Sequence, residues 1–364
     1  MPDMKPLRAL GVISGTSMDA IDLALLETDG ETHVRSLGGA AYPYPPALRA
    51  KLQAIIEDSE RAAIDPLSAL EAEVTEAFGD AIARFMNERG LNPSGIDLVG
   101  CHGQTIFHRP ALKITRQLCD GAALAKRLGI NVVNRFRHAD VAAGGQGAPL
   151  VPLYHAALAG DLAHPLVVLN LGGVANITYL DGETILACDT GPASALIDDA
   201  MLELFGEPYD KDGAVAARGR VHRAELAAMM QNPFFAAPLP KSLDRNDFHA
   251  RASITATLDP EDRIATLTAF TIAATARVVE LLPQKPLRWL VTGGGRHNSA
   301  FMRGFATLLG VPVEPVEAVG WNGDLLEAEC FAYLAVRSRL GLPLSVPGTT
   351  GVPQPTTGGE FWAA

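Results

Sequence analysis

The sequence predicts an α/β chain in which one unit, three strands followed by alternating helices and strands (βββαβαβα), occurs twice. Two stretches and one shared order carry that prediction. Residues 9–22 read ALGVISGTSMDAID: an apolar run to Ser14, a small turn at Gly15-Thr16-Ser17, then Ile21, Leu23 and Leu25 alternating with Asp22 and Ala24. Alternation with a period of two marks a half-buried strand, so this turn joins two strands, with no helix following it. Residues 170–178, NLGGVANIT, repeat the arrangement with a second glycine turn. The elements downstream of each turn then come in the same order.

In the first half, strands are expected at residues 7–14, 21–27 and 33–37, with Thr28-Asp29-Gly30 as the second turn. Pro43, Pro45 and Pro46 break the chain there. Helical spacing of apolar residues marks 48–56 and 67–89, the latter ended by Gly90. A strand at 96–101 runs into HGQTIFH, read as a strand end and its loop; a helix at 121–128 stops at Gly129, and 130–133 is a strand. The second half has strands at 166–171, 175–180 and 184–188, with Asp181-Gly182 as a hairpin turn. A helix at 192–205, a polar insertion at 206–262 whose PLPKSLDRNDF segment reads as a loop, a helix at 263–282 and a strand at 287–292 follow. After GGGRHN come a helix to Leu309, a strand at 311–316 and a helix at 324–339. The Gly- and Pro-rich segment 144–152 sits near the midpoint, so the expected lobes are 1–146 and 147–340, with 341–364 as a tail.

The 364 residues are ample for two domains with full cores. A net charge of -11 and a pI near 5.3 argue against a nucleic-acid or anionic-membrane partner. Cys101, Cys119, Cys188 and Cys330 form no C-x-x-C pair, which points to reduced thiols in a cytoplasmic protein without a zinc site. No leader segment and no stretch able to span a bilayer is expected.

A glycine turn lets the backbone approach a phosphate, whose oxygens accept from turn N–H groups and hydroxyls. Gly15, Thr16, Ser17, Met18, Asp19, Ala20, Ile21 and Asp22 are one candidate nucleotide segment, and Gly172, Gly173 and Asn176 a second. Neither is a Walker loop, which needs a lysine after its glycines. A tight hairpin, with positive φ at Gly172 or Gly173, accounts for each turn taken alone. In VTGGGRHN, residues 291–298, the glycines Gly293, Gly294 and Gly295 allow a flat adenine or ribose to lie on the backbone, and the helix it opens favours anions at its N-terminus; close packing is the alternative.

Asp189 ends an apolar strand immediately before Thr190-Gly191-Pro192, where it is either a helix cap or a proton acceptor. Glu327 shares a helical face with Phe331 and Leu334, where a carboxylate is costly unless it is paired, used or reaches past the apolar rim. His102, Gln104, Thr105 and His108 project from one strand end, and Arg137 and Asp140 lie just past another, the edge where α/β folds collect ligands. The histidine spacing matches no metal set, so polar contacts to a sugar fit better, with a structural role open for His108.

The doubled unit and its glycine turns suggest two ribonuclease-H-like lobes with a nucleotide cleft between them. The motifs SGTSMDAID, CHGQTIFHRP, FRHADVAAGGQGAPLVP, NLGGVANIT, DTGPASALIDD, YDKDG, VTGGGRHN and EAECFAYLA also occur in one family's order, nearly end to end. On them the chain resembles the anhydro-N-acetylmuramic acid kinase family, within the ATPase superfamily of acetate and sugar kinases, Hsp70 and actin. HGQT and GGQGAPLVP are far more specific than the superfamily glycines.

The resemblance implies ATP and Mg2+, a homodimer, and a substrate, 1,6-anhydro-N-acetylmuramic acid, that arises in cell-wall recycling. Asp189 would be the catalytic base, deprotonating a water that opens the anhydro bridge before the freed 6-oxygen takes the γ-phosphoryl group. Sugar contacts are implied for His102, Gln104, Thr105, Arg137, Asp140 and Glu327. Ser14 stands where the superfamily often has a metal-holding Asp, which leaves Asp19 and Asp189 as candidate metal ligands. Ala20 for Gly, Ser194 for Asn and KSLDR for KSTGR are smaller departures, and none removes a proton acceptor. A related sugar or carboxylate kinase and a non-enzymatic nucleotide switch are the rival readings; Asp189 and Glu327 favour an enzyme.

Overall fold

The computed structural model describes residues 5–15, 18–243 and 247–364. Thr16 and Ser17 of the first turn lie outside the described residues, as do Asp244 and Arg245 of KSLDR. Strands β1 (Leu7–Ser14), β2 (Ala20–Thr28) and β3 (Val34–Pro43) form an antiparallel run. Beside β1 lies parallel β4 (Leu98–Arg109), which pairs antiparallel with β5 (Ile114–Leu118) and parallel with β6 (Val132–Asn134). Then β7 (Leu166–Leu171), β8 (Val174–Asp181) and β9 (Thr184–Pro192) make a second antiparallel run, extended by parallel β10 (Arg288–Thr292) and β11 (Val313–Pro315). Last, β12 (Glu360–Trp362) returns to pair with β6.

The sheet orders are β12-β6-β4-β1-β2-β3 and β11-β10-β7-β8-β9. Apart from β5 and β12 they are the same arrangement, so the duplication expected from the sequence holds strand by strand.

The chain divides into two compact units, one of residues 1–161 with 325–364 and one of residues 162–324. The expected boundaries, 1–146, 147–340 and a tail, differ from this division. The cause is the helix Leu326–Arg339, which lies on β1, β2 and β4 of the first unit. Gly11 of β1 and Gly100 of β4 are register partners. A Cβ on Gly11 would stand 1.7 Å from the Ala328 carbonyl oxygen, and one on Gly100 2.1 Å from that of Phe331. Two adjacent glycines thus cut a notch in the sheet, and the helix backbone sits in it. The neighbours Leu10, Val12, Val99 and Cys101 point to the opposite face, into a core with Phe78, Ile82 and Phe85 of the helix Ser68–Glu88. The segment after residue 340 is no loose tail, since β12 closes the sheet edge and the Trp362 indole donates to Asn134 Oδ1 at 3.1 Å.

Other expectations need local correction. HGQTIFH is strand throughout, because β4 continues to Arg109 and folds back on β5 as a hairpin. Pro192 belongs to β9, and the next helix starts only at Ala195. The span 260–281 is long and apolar enough by length and composition to cross a membrane, contrary to expectation. Its apolar character has a local cause: Ile264, Leu267, Phe270 and Ala274 are buried in the core of the second unit.

Overpacking a filled notch forces backbone to move. Gly100→Val is therefore expected to destabilise the protein by about 3 kcal/mol, read as a lower urea midpoint. Gly95→Ala, with nothing within 4 Å of its would-be Cβ, should stay within about 0.5 kcal/mol of the parent.

Candidate functional site

In the first unit, β1, β4 and β6 run parallel, and the residues expected to meet a ligand gather where β1 and β6 end. Many of them are engaged by the protein itself. Gln104 is fully buried; its amide donates to the Gly15 carbonyl at 3.3 Å, and its oxygen accepts from the Tyr44 hydroxyl at 3.1 Å. It buttresses the first glycine turn. In that turn the Met18 N–H donates to the Gly15 carbonyl at 3.1 Å, while the Met18 and Ile21 side chains enter the core. Those two residues offer backbone alone. Ala20 and Asp22 are half-buried on β2, and Asp19 is exposed and paired with Arg49 at 3.1 Å.

His102 is buried with its Nδ1 2.8 Å from the Gly103 carbonyl and its Nε2 2.9 Å from Arg137 Nε. These partners assign the proton to Nδ1, so Nε2 accepts from the guanidinium. Burial first, and the Arg137 charge second, keep the ring neutral by pushing its pKa well below the ordinary value. Arg137 Nη1 donates to the Gly147 carbonyl at 2.7 Å, which fixes the guanidinium at a second point. Gly147 in turn donates its N–H to Asp140 Oδ1 at 2.6 Å, and Asp140 Oδ2 accepts from the Thr350 hydroxyl at 2.6 Å and from Ser345. Asp140 is buried with both oxygens occupied. It therefore braces the loop that carries Gly147, and the expectation of a sugar contact there gives way to a bracing one. Thr105 Oγ1 lies 3.4 Å from the Gln117 amide, and His108 bonds Thr115 at 3.0 Å, the structural role left open for it. Burial holds the His108 ring at a pKa of about 4.

Glu327 is exposed near the start of the helix Leu326–Arg339. Protein packed around its carboxyl raises its pKa, and the Arg137 charge works the other way without a direct ion pair. The carboxylate on the buried side of that helix is Glu329, accepting from Ser36 and from the Tyr154 hydroxyl at 2.9 Å. Sequence reasoning passed over Glu329 because this helix is buried nearly all round, so apolar spacing cannot rank its faces.

In the second unit, Thr292, Asn170, Asn176 and Asp189 are successive register partners across β10, β7, β8 and β9. Register partners face the same side, so this is a polar row four strands wide. The register runs unbroken from the Asp181–Thr184 pair at the hairpin to the Asn176–Asp189 pair, and a bulge follows it, between Asn176 and Ala175. Asp189 is half-buried, and its Oδ2 accepts from the Leu243 N–H at 2.7 Å. Burial pushes its pKa up to about 6, and that hydrogen bond opposes the rise. Gly172 and Gly173 do not take positive φ, contrary to the hairpin alternative. A Cβ at either would meet nothing closer than 3.6 Å, so internal packing does not demand glycine there. Their carbonyls accept from Ala193, Ser194 and Ala195, which ties the turn to the start of the helix Ala195–Phe205.

The three glycines of VTGGGRHN differ. A Cβ on Gly293 would lie 2.5 Å from Asn170 Oδ1, and one on Gly295 2.5 Å from Leu171 Cβ, whereas Gly294 faces open space. The helix N-terminus expected to favour an anion is already capped, because Asn298 Oδ1 accepts from Ala300 at 2.9 Å and Phe301 at 3.2 Å. Arg296, passed over in the sequence, is buried and donates to the Gly293 carbonyl, Glu317 and Asp324 at 2.7–3.0 Å. It fixes the turn from below.

Among the described residues no group of three or more His, Cys, Asp or Glu could hold a metal ion. That is compatible with Mg2+, which keeps waters and nucleotide oxygens and needs one or two carboxylates. Asp189 retains one oxygen outside its hydrogen bond, while Asp19 is engaged with Arg49.

A family model described as anhydro-N-acetylmuramic acid kinase matches residues 7–364. A protein of that name from Rhodopseudomonas palustris strain BisB18 is 51% identical over 98% of this chain and 99% of its own length. One from Rhizorhabdus wittichii is 50% identical over 98% and 99%. Among solved structures, component A of (R)-2-hydroxyglutaryl-CoA dehydratase from Acidaminococcus fermentans superposes with a TM-score of 0.50 at 10% identity, covering 92% of this chain and 99% of that one. At that identity the likeness is one of fold.

The two acidic positions of the first unit should separate cleanly. Asp140→Ala leaves a buried N–H and two hydroxyls without their acceptor and should cost about 3 kcal/mol. Glu327→Gln, on an exposed side chain, should shift stability by less than about 0.5 kcal/mol. Urea denaturation of both variants checks this.

Proposed function

Because the chain belongs to the anhydro-N-acetylmuramic acid kinase family, we propose that it opens 1,6-anhydro-N-acetylmuramic acid with water and phosphorylates the freed oxygen from ATP, with Asp189 as the base. The observation that carries this reading is the polar row ending in Asp189, a half-buried carboxylate with one oxygen already held by the Leu243 N–H. Beside it the Gly172-Gly173 turn leaves room for a phosphate to approach the backbone.

In this reading Asp189 accepts a proton from a water that attacks the anomeric carbon. The bond from that carbon to the 6-oxygen breaks, and the 6-oxygen forms its new bond to the γ-phosphorus as the bond to ADP breaks. The products are N-acetylmuramic acid 6-phosphate and ADP, as cell-wall recycling would require. Mg2+ bound with ATP would neutralise charge building on the phosphoryl oxygens, held there by nucleotide oxygens and waters. Arg137, held by His102 and Gly147, and Glu327 supply the first unit's charged contacts to the sugar. Gln104 and Asp140 act behind them as supports.

Incubation with ATP, Mg2+ and the anhydro sugar in oxygen-18 water tests the reaction. A 6-phosphate carrying the heavy oxygen at its anomeric hydroxyl, read before mutarotation exchanges it, is the expected product; unlabelled or unopened product removes the coupled scheme. Asp189→Asn should lower kcat by about 10²–10⁴-fold. A carboxyl raised to about 6 loses its base form as pH falls through that value. The log of kcat/KM should therefore bend downward below about pH 6, towards a tenfold loss per unit.

A further inference from the structure

β9 is the edge strand of its sheet, and at Asp189 the segment 241–243 covers that edge. The Asp189 N–H donates to the Lys241 carbonyl at 2.9 Å, and the Leu243 N–H returns a bond to Asp189 Oδ2 at 2.7 Å. Residues 241–243, in a stretch read from sequence as a loop, therefore hold Asp189 both at its backbone N–H and at its carboxylate.

What holds this segment is Lys241. Its side chain is turned inward, with Nζ donating to the carbonyls of Phe234 at 2.9 Å and Phe235 at 3.1 Å and standing 4.7 Å over the Phe234 ring. Its hydrogen-bond partners are carbonyl oxygens and not a carboxylate. Burying an ammonium is expensive, and a surface lysine would avoid that cost entirely. The carbonyls belong to the short turn Pro233–Ala236, whose start is fixed by Asn232 accepting from the Phe234 N–H at 2.9 Å. Phe235 is packed in turn on Phe248 at 5.5 Å and on Phe270 at 6.1 Å. A continuous path thus runs from the aromatic core through Lys241 to Asp189. With two of its three protons on carbonyls, Lys241 acts through the backbone of its own segment.

We propose that Lys241 is a positioning residue for the kinase reaction: by anchoring residues 241–243 it keeps the Leu243 N–H on Asp189 Oδ2 and leaves Oδ1 as the oxygen that takes the proton. This inference rests on the reading of Asp189 as the base.

Steady-state kinetics of the full chain with ATP, Mg2+ and the anhydro sugar test it, with Lys241→Met, Leu243→Pro, Leu243→Ala, the Lys241→Met/Leu243→Pro double variant and Asp189→Asn. Misplacing a reacting group by an ångström is worth up to about a hundredfold. Lys241→Met should therefore lose about tenfold to a hundredfold in kcat, with both KM values within about twofold, because only the chemical step is affected. Leu243→Pro, which deletes the N–H, should lose as much, and the double variant no more than about twofold beyond it, since both act on one bond. Leu243→Ala keeps the N–H and should lose much less kcat than Leu243→Pro. A parental kcat in Lys241→Met, or losses that multiply in the double variant, overturns the proposal. Should Lys241→Met fail to fold, equal kcat in Leu243→Pro and Leu243→Ala overturns it instead. If Asp189→Asn keeps its kcat, the base reading falls and this one with it. If Asp189→Asn is inactive while Lys241→Met is unaffected, the positioning role alone is lost.

Discussion

The seat of the helix Leu326–Arg339 in the glycine notch of β1 and β4 is the constraint on which the first unit depends. Side chains at Gly11 and Gly100 would lift that helix off the sheet. With the helix down, Phe331 lies 4.5 Å from the His102 ring and Tyr333 donates to the Glu31 carbonyl at 3.0 Å. Arg337 reaches the Gly30 carbonyl at 2.8 Å, and Glu329 meets Ser36 and Tyr154. The ring that receives Arg137 is thus backed by a helix whose height two absent Cβ atoms determine. Dense packing turns a small vertical shift there into a lateral shift of polar groups, because nothing nearby can yield.

The two units divide their polar residues in the same way. Some are saturated by the protein: Gln104, His102 and Asp140 in the first, Arg296 and Asn298 in the second. Others keep capacity for a ligand, as Glu327 does in the first and Asp189 with Gly172, Gly173 and Gly294 in the second. A site that must bind a polar substrate needs its own groups held still, and fully satisfied hydrogen bonds behind the front row do that. Family motifs contain both kinds of residue, which explains why HGQT and the segment of Arg137 and Asp140 hold residues saturated by the protein as well as candidate contacts.

Period-two alternation and turn chemistry made both three-strand runs legible, and the glycine turns marked where β1 and β7 end. Three things were hidden for physical reasons. The helix Leu326–Arg339 is apolar on nearly every side, so its pattern announces burial and not which sheet it covers. The β4–β5 hairpin is rich in Gln, Thr, Arg and His, residues that read as loop because their partners come from elsewhere in the fold. Lys241 carried no signal at all, since a lysine in a polar stretch is ordinarily solvated and its carbonyl partners have no sequence signature. Asp189 was legible as a carboxylate on its strand, although β9 runs on past it to Pro192; the hydrogen bond that orients it was not legible.

The second unit is contiguous, whereas the first is interrupted by it and completed only by residues 325–364. Synthesis runs from the N-terminus, so a nascent chain presents β1 and β4 with their glycine notch unfilled while the whole of residues 162–324 is being translated. The part made first is therefore finished last. Until its helix and β12 emerge, the first sheet has one bare face and one bare edge, the kind of surface that chaperones cover and that neighbouring chains pair with. Losing the last forty residues would strip the early-made unit of its cover and leave the later-made one whole.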